Sequence, residues 1–257
     1  MSTTSTRPVC VVTGSSSGIG AATALLFAQR GHDVVINYAS QPDPAAHVAQ
    51  QCRDAGADVL VVRADVADDV QCRALAEQVR QHWGGADTLV NSAGITTKFA
   101  DIKDLEALDA DDFMAIYRVN VIGTFQMSRA IAPLMKGRPA PSIVNISSMA
   151  GRMGTGSSIA YAASKGAANT LTLSLARALA PAIRVNAILP GMVDGPWLRR
   201  GLGEVVFAER RKRYEARALL GDVMQPQDIA RTAYYLANDA LKQTGQLIDL
   251  DAGFALG

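Results

Sequence analysis

The chain has 257 residues, with 25 lysines and arginines against 24 acidic residues and a formal net charge of +1. That length can bury a substantial core, and the charge balance gives no electrostatic reason to expect a nucleic-acid partner. Three scattered cysteines, Cys10, Cys52 and Cys72, have neither metal-ligand spacing nor the even count of a disulfide framework, so a reducing compartment and no metal are expected.

The first seven residues are polar and lack the apolar core of a signal peptide, and no apolar run approaches membrane-spanning length. The expectation is a soluble, cytoplasmic protein without a membrane partner. Val9-Cys10-Val11-Val12-Thr13 predicts a first strand, followed by the glycine-serine turn Gly14-Ser15-Ser16-Ser17-Gly18-Ile19-Gly20 and a helix over residues 21–30. Residues 34–38 predict a second strand, 45–55 a helix, and 59–63 a third strand that ends at Ala64-Asp65-Val66. A helix over 69–83 leads to the fourth strand, Thr88-Leu89-Val90-Asn91, and a long helical stretch over about 111–135 to the apolar strand 142–147. After it, residues 148–158 read as a glycine-serine loop and a helix begins near Ile159. A strand over 183–188, a more charged stretch over 192–225, a helix over 229–237 and a strand over 246–250 complete the chain. No repeats or low-complexity linkers divide it, so residues 1–257 are expected to form one unit, with 192–225 as a small substrate lid.

Strands alternating with helices predict an α/β fold with a parallel sheet covered on both faces. Such a sheet binds its ligand beyond the carboxyl ends of its strands, and Gly14, Asp65, Asn91, Ser148 and Pro190 each follow a strand. Gly14-x3-Gly18-x-Gly20 between strand and helix suits a phosphate, because glycine admits close backbone approach and a helix start offers free N–H groups. A tight strand–helix turn would use the same residues. Asp65 could accept from an adenine amino group or cap the next helix. Asn91-Ser92-Ala93-Gly94 is either a close-approach turn for a cofactor or an ordinary one. Asn120, a poor helix former in an apolar neighbourhood, could be hydrogen-bonded filler or could distort its helix and hold a water. Tyr161 and Lys165, four apart, share a helix face, where an ammonium beside a phenol lowers the phenol's pKa. Ser148 adds a hydroxyl if its loop folds back over that helix.

On these motifs in this order, Thr13-Gly14-x3-Gly18-x-Gly20, Asp65, Asn91-x-Ala93-Gly94, Asn120, Ser148, Tyr161-x3-Lys165 and Pro190-Gly191, the chain resembles the short-chain dehydrogenase/reductase family over almost its whole length. The resemblance implies a Rossmann-type doubly wound sheet of seven parallel strands and a nicotinamide cofactor. It implies a catalytic tetrad: Tyr161 as acid/base, Lys165 lowering its pKa and holding the nicotinamide ribose, Ser148 polarising the carbonyl, and Asn120 supporting a water relay. It carries cofactor contacts onto Gly14, Ser16, Ser17, Gly18, Ile19 and Gly20, then Tyr38, Ala39, Ser40, Asp65 and Val66, then Asn91, Ala93 and Gly94, and finally Tyr161, Lys165, Pro190, Gly191 and Val193. It also implies a homotetramer through residues 111–135, 159–180 and the C-terminal strand.

Two positions depart from the family pattern. Gly195 stands where a threonine commonly touches the cofactor, and Ser92 where asparagine is frequent. The second strand ends in Asn37-Tyr38-Ala39-Ser40 without the acid that repels a 2′-phosphate, so NADP(H) is expected over NAD(H), although no arginine stands at Ser17 or Ala39. In the 192–225 stretch, Trp197, Phe207 and Tyr214 suggest apolar walls. The basic residues Arg199, Arg200, Arg210, Arg211, Lys212, Arg213 and Arg217 read as a solvated helix face or as an attractor for an anionic substrate. The expected reaction interconverts a small-molecule ketone and a secondary alcohol. A 3-oxoacyl-acyl-carrier-protein reductase is the alternative, weakened by a longer 95–117 segment and by the absence of a basic residue in Pro181-Ala182-Ile183. A non-catalytic NADP-binding sensor would require a broken tetrad.

Overall fold

The computed structural model describes residues 7–257. In chain order its regular elements are β1 (Val9–Val12), α1 (Gly18–Gln29), β2 (Asp33–Tyr38), α2 (Pro42–Asp54), β3 (Val59–Arg63), α3 (Asp69–Trp83) and β4 (Thr88–Asn91). Then come α4 (Ala110–Tyr117), α5 (Thr124–Ile131), β5 (Ser142–Ile146), α6 (Ala150–Met153), α7 (Ile159–Leu179) and β6 (Arg184–Pro190). The chain closes with α8 (Pro196–Leu202), α9 (Glu204–Arg217), α10 (Pro226–Asn238) and β7 (Leu247–Leu250). All seven strands are parallel, in the order β3-β2-β1-β4-β5-β6-β7. This is the doubly wound Rossmann arrangement, in which the strand order reverses beside β1 and leaves a crevice at the carboxyl edge.

Alternation along each buried strand feeds two cores. Cys10 and Val12 of β1 join Val34 and Ile36 on the face covered by α1, α2 and α10, where Phe27 and Leu236 are buried. Val9 and Val11 face the other way, toward Leu75, Val79 and Trp83 of α3 and Met127 and Ile131 of α5. All three cysteines are free and buried. Elements with strong local signals begin and end where the sequence places them. Asp68 caps α3 by accepting from the amides of Val70 and Gln71, and Gly84 ends it in the left-handed region at φ 76°.

The 111–135 stretch is helical throughout but not uniform. Between α4 and α5, Arg118–Gly123 forms a π-helical turn centred on Asn120. Residues 148–158 differ more from expectation, because Ala150–Met153 is a short helix rather than loop. Gly151 is the reason: a Cβ there would overlap the backbone of Lys165 and stand 2.5 Å from the amide of Gly166, so only glycine lets α6 lie directly on α7. Among the described residues, no helix is long and apolar enough to cross a membrane, and no cluster of three or more His, Cys, Asp or Glu is placed to hold a metal.

Candidate active site

The carboxyl ends of the strands open on one cleft of about 970 Å³. Its first end is built by β1 and α1. Gly14 and Gly18 sit at φ 61° and 56°. A Cβ on Gly14 would stand 2.8 Å from Cα of Ala93, and one on Gly20 would overlap the carbonyl of Gly14. Only glycine allows these backbones to touch. Ser17, the N-cap of α1, is extended and makes no side-chain cap bond, and the first turn carries no acid. The uncapped helix start therefore offers N–H groups and positive dipole to a phosphate. Gly14, Ser16, Ser17, Gly18, Ile19 and Gly20 all line this end.

At the end of β2, Tyr38, Ala39 and Ser40 line the cleft. The Asn37 side chain is taken up structurally, donating to the carbonyls of Val62 (3.3 Å) and Ala64 (2.9 Å) and accepting from the Gly14 amide (3.2 Å). Arg63, opposite Tyr38 in the β2–β3 register, donates Nε to the carbonyl of Ala39 at 3.1 Å. A guanidinium is thus present beside Ser40, supplied by the neighbouring strand. Asp65 and Val66 line the wall beyond β3. Asp65 does not cap α3, a role filled by Asp68; its Oδ1 accepts from the Ala67 amide at 2.9 Å.

The β4 end divides the expected residues. Ala93 and Gly94 line the cleft, and Oγ1 of Thr13 fixes this turn by accepting from the amides of Ser92 and Ala93, both at 3.0 Å. Asn91 is placed elsewhere. Its buried amide donates to Oδ1 of Asn145 (2.9 Å) and to Oγ of Ser128 (3.1 Å), tying β4 to β5 and α5 below the cleft. Asn120 is also behind the wall. It accepts from the Ile95 amide (2.8 Å) and donates to the Ile95 carbonyl (3.0 Å) and to Oγ of Ser164 (3.0 Å).

Ser148, Tyr161 and Lys165 meet at the other end of the cleft. Ser158 caps α7 by accepting from the Tyr161 amide at 3.1 Å, which places Tyr161 in the helix's first turn. Oγ of Ser148 accepts from the Ala150 amide at 3.1 Å, which leaves its proton free to donate. That hydroxyl is hydrogen-bonded to the Tyr161 phenol. Ser147 is different: its hydroxyl donates to Oδ1 of Asn169 at 2.6 Å. Lys165, buried, donates to the carbonyl of Ile146 at 2.8 Å and lies 5.6 Å from the centre of the Tyr161 ring.

The electrostatics correct the simple expectation of a phenol lowered by its lysine. Burial pushes Tyr161 up to about 12, with the Ser148 hydrogen bond opposing it, and burial brings Lys165 down to about 8. Desolvation disfavours both charged forms, and the lysine's carbonyl partner is neutral. In this state the tyrosine is a protonated acid.

Pro190, Gly191 and Val193 line the cleft after β6. Gly191 leaves room for the Tyr214 hydroxyl, which donates to the carbonyl of Asp251 at 2.7 Å. Gly195 is the extended N-cap of α8, and a Cβ there would meet only Cγ of Pro226, at 4.0 Å. The backbone there has room for a Cβ. Of the three aromatic residues expected in the walls, Trp197 lies 5.6 Å from the Tyr161 ring centre and Tyr214 lines the cleft, whereas Phe207 is buried beneath Arg199. Phe99, not singled out by the sequence, packs 5.3 Å from Trp197, with Gly201 leaving space for its ring.

A family model described as enoyl-(acyl carrier protein) reductase matches residues 14–255. The chain is 37% identical, over 96% of its length and 95% of the relative's, to a ketoacyl reductase of the granaticin polyketide synthase of Streptomyces violaceoruber. It is 36% identical, over 96% of each chain, to cis-4-hydroxycyclohexanecarboxylate dehydrogenase of Sinomonas cyclohexanicum. A solved short-chain dehydrogenase/reductase from Burkholderia xenovorans superposes with a TM-score of 0.91 at 47% identity, covering 98% of this chain and 100% of the other. The chain belongs to the short-chain dehydrogenase/reductase family and is an oxidoreductase acting between ketones and alcohols.

Proposed function

We propose that this family member reduces a ketone to a secondary alcohol with NADPH, using Tyr161 as proton donor. The observation that carries the reading is the meeting of Ser148, Tyr161 and Lys165 at one end of a cleft whose other end is an uncapped, glycine-lined helix start. The residues present fit a dinucleotide: the Gly14–Gly20 turn suits its pyrophosphate, Asp65 its adenine, and Lys165 its nicotinamide ribose. When bound, a nicotinamide would supply the hydride for the carbonyl carbon. Ser148 donates a hydrogen bond to the carbonyl oxygen, and Tyr161 transfers its phenolic proton to that oxygen as the alcohol forms. Asn120 holds the π-helical turn against Ile95 and Ser164 and supports a water relay to Lys165. The test is NADPH oxidation over a panel of ketones, diketones and 3-oxoacyl thioesters, with the alcohol product identified. Bound NADPH without turnover of any carbonyl would oppose the reading and favour a sensor.

The Lys165 shift supplies a pH prediction. Its pKa falls from 10.5 to about 8, so the ammonium is complete below that value and disappears as pH rises through it. Because kcat/KM for NADPH reports the free enzyme, it is expected to stay level below about pH 8 and to fall above it. A profile level through about pH 10, the ordinary lysine range, would contradict the assignment.

Preference for NADP(H) is supported by the acid-free Tyr38-Ala39-Ser40 edge and by the Arg63 guanidinium beside it. Arg63→Gln is expected to lower the ratio of NADPH to NADH specificity about tenfold, the scale of one charge-assisted hydrogen bond. An unchanged ratio would remove Arg63 from phosphate recognition. Exposed Ile122, Phe125 and Leu173 support a homotetramer built on 111–135 and 159–180, and three buried free thiols support a cytoplasmic setting. The 3-oxoacyl-acyl-carrier-protein reductase reading stays second, favoured by the likeness to a ketoacyl reductase.

A further inference from the structure

The arginines of residues 192–225 fall into two groups. Arg199 and Arg211 both pair with Asp194, each at 2.8 Å, and extend to Glu204 (2.7 Å) and Glu215 (2.6 Å). Their charge is neutralised within the segment. Arg200, Arg210, Arg213 and Arg217 line the cleft instead. Nε of Arg200 donates to the Pro196 carbonyl (3.2 Å), which leaves its charge uncompensated, whereas Nε of Arg217 is taken up by an oxygen of Gly257 (2.9 Å). Among the described residues, Arg210 and Arg213 have neither an ion pair nor a hydrogen bond from their guanidinium groups.

The placement is directional. Residues 210, 213 and 217 share one face of α9, by the three-and-four spacing of a helix. Arg200 lies three residues beyond Trp197, the ring nearest Tyr161. It also borders a side recess of about 400 Å³ formed with Phe99, Trp197, Thr96 and Thr97. Lys98, in the same recess, is paired with Asp112 at 2.7 Å. The cleft is therefore aromatic beside Tyr161, and Arg200, Arg210 and Arg213 add to its lining guanidinium groups that no acid neutralises and that repel one another unless an anion joins them. The Gly14–Gly20 turn already provides a seat for cofactor phosphates. The arginine charge is left for the substrate.

We propose that the cleft selects carbonyl substrates carrying an oxyanion, a carboxylate or a phosphate, held by Arg200, Arg210 and Arg213. The apolar body of the substrate then lies against Phe99 and Trp197, with its ketone at Tyr161. Planar, multiply donating guanidinium groups suit either oxyanion. The inference rests on the ketone-reductase reading and names its substrate class.

Calorimetry on the Tyr161→Phe protein loaded with NADP⁺ tests it without turnover. Two matched pairs are titrated: 4-oxocyclohexanecarboxylate against its methyl ester, and 3-oxobutanoyl-coenzyme A against the phosphate-free 3-oxobutanoyl-N-acetylcysteamine. The anionic member of one pair is expected to bind about tenfold tighter, the scale of one retained charge-assisted contact. Preference in the first pair assigns a carboxylate, and in the second a phosphate. In an Arg200→Gln/Arg213→Gln background the ratio is expected to fall toward one, with NADP⁺ affinity retained. Three results would overturn the proposal: no preference in either pair, including no binding at all; a preference that survives the double substitution; or an equal loss of NADP⁺ affinity, which would give the arginines to the cofactor. If the wild-type protein discriminates in binding yet turns over no ketone, the reductase reading fails while charge selection stands.

Discussion

Tyr161→Phe is expected to lower kcat for ketone reduction about a thousandfold, within the 10²–10⁴ range of a positioned general acid. The substitution removes one oxygen and keeps the ring that packs 5.6 Å from Trp197. Ser148 and Lys165 keep their anchors on the Ala150 amide and the Ile146 carbonyl. Cofactor affinity and melting temperature should therefore change little, and the loss should appear in kcat. A variant that retains more than about a tenth of wild-type kcat would fall below the smallest general-acid contribution and place the proton donor elsewhere.

Gly151→Ala is expected to be nearly as damaging by another route. The added methyl would overlap the backbone of Lys165 and crowd the Gly166 amide, and neither can yield as a flexible side chain would. α6 must lift from α7, and Ser148 moves with it, because the Gly151 amide donates to the Ser148 carbonyl at 3.1 Å. Displacing a catalytic hydroxyl by about 1 Å costs about a hundredfold in rate. Overpacking of this kind costs about 1–3 kcal/mol, a fall of several degrees in Tm for a chain of this size. Gly166→Ala is the graded control, since its Cβ would stand 3.3 Å from the Gly151 carbonyl, a contact that a small shift relieves. Comparable kcat in the two variants would show that the α6–α7 contact does not position Ser148.

Much of the architecture is legible in the sequence because its signals are local. Branched runs between turns mark β1 to β6, and a capping aspartate with a left-handed glycine brackets α3. Most of the expected site residues converge on one cleft because each follows a strand of a parallel sheet. What was not legible depends on distant partners. α6 is hidden by glycines that look like loop until α7 is seen beneath them. Asn91 and Asn120 face inward because Asn145 and Ile95 wait there as partners. Helical spacing puts Tyr161 and Lys165 on one face, but burial, which spacing does not report, moves both pKa values against charge. Arg63 reaches Ala39 only through strand register. Whether an arginine of 192–225 is neutralised or lines the cleft depends on where Asp194, Glu204 and Glu215 stand.

The central claim is a hydride transfer completed by a proton from Tyr161. The most direct measurement uses NADPH deuterated on the transferable face of C4, a ketone that the wild-type protein turns over, and mass analysis of the product. The account predicts one deuterium on the new carbinol carbon, one NADP⁺ formed per alcohol, and labelled alcohol formed about a thousandfold more slowly by the Tyr161→Phe protein. Unlabelled alcohol from both face-labelled cofactors, or NADPH consumed without alcohol, would contradict it.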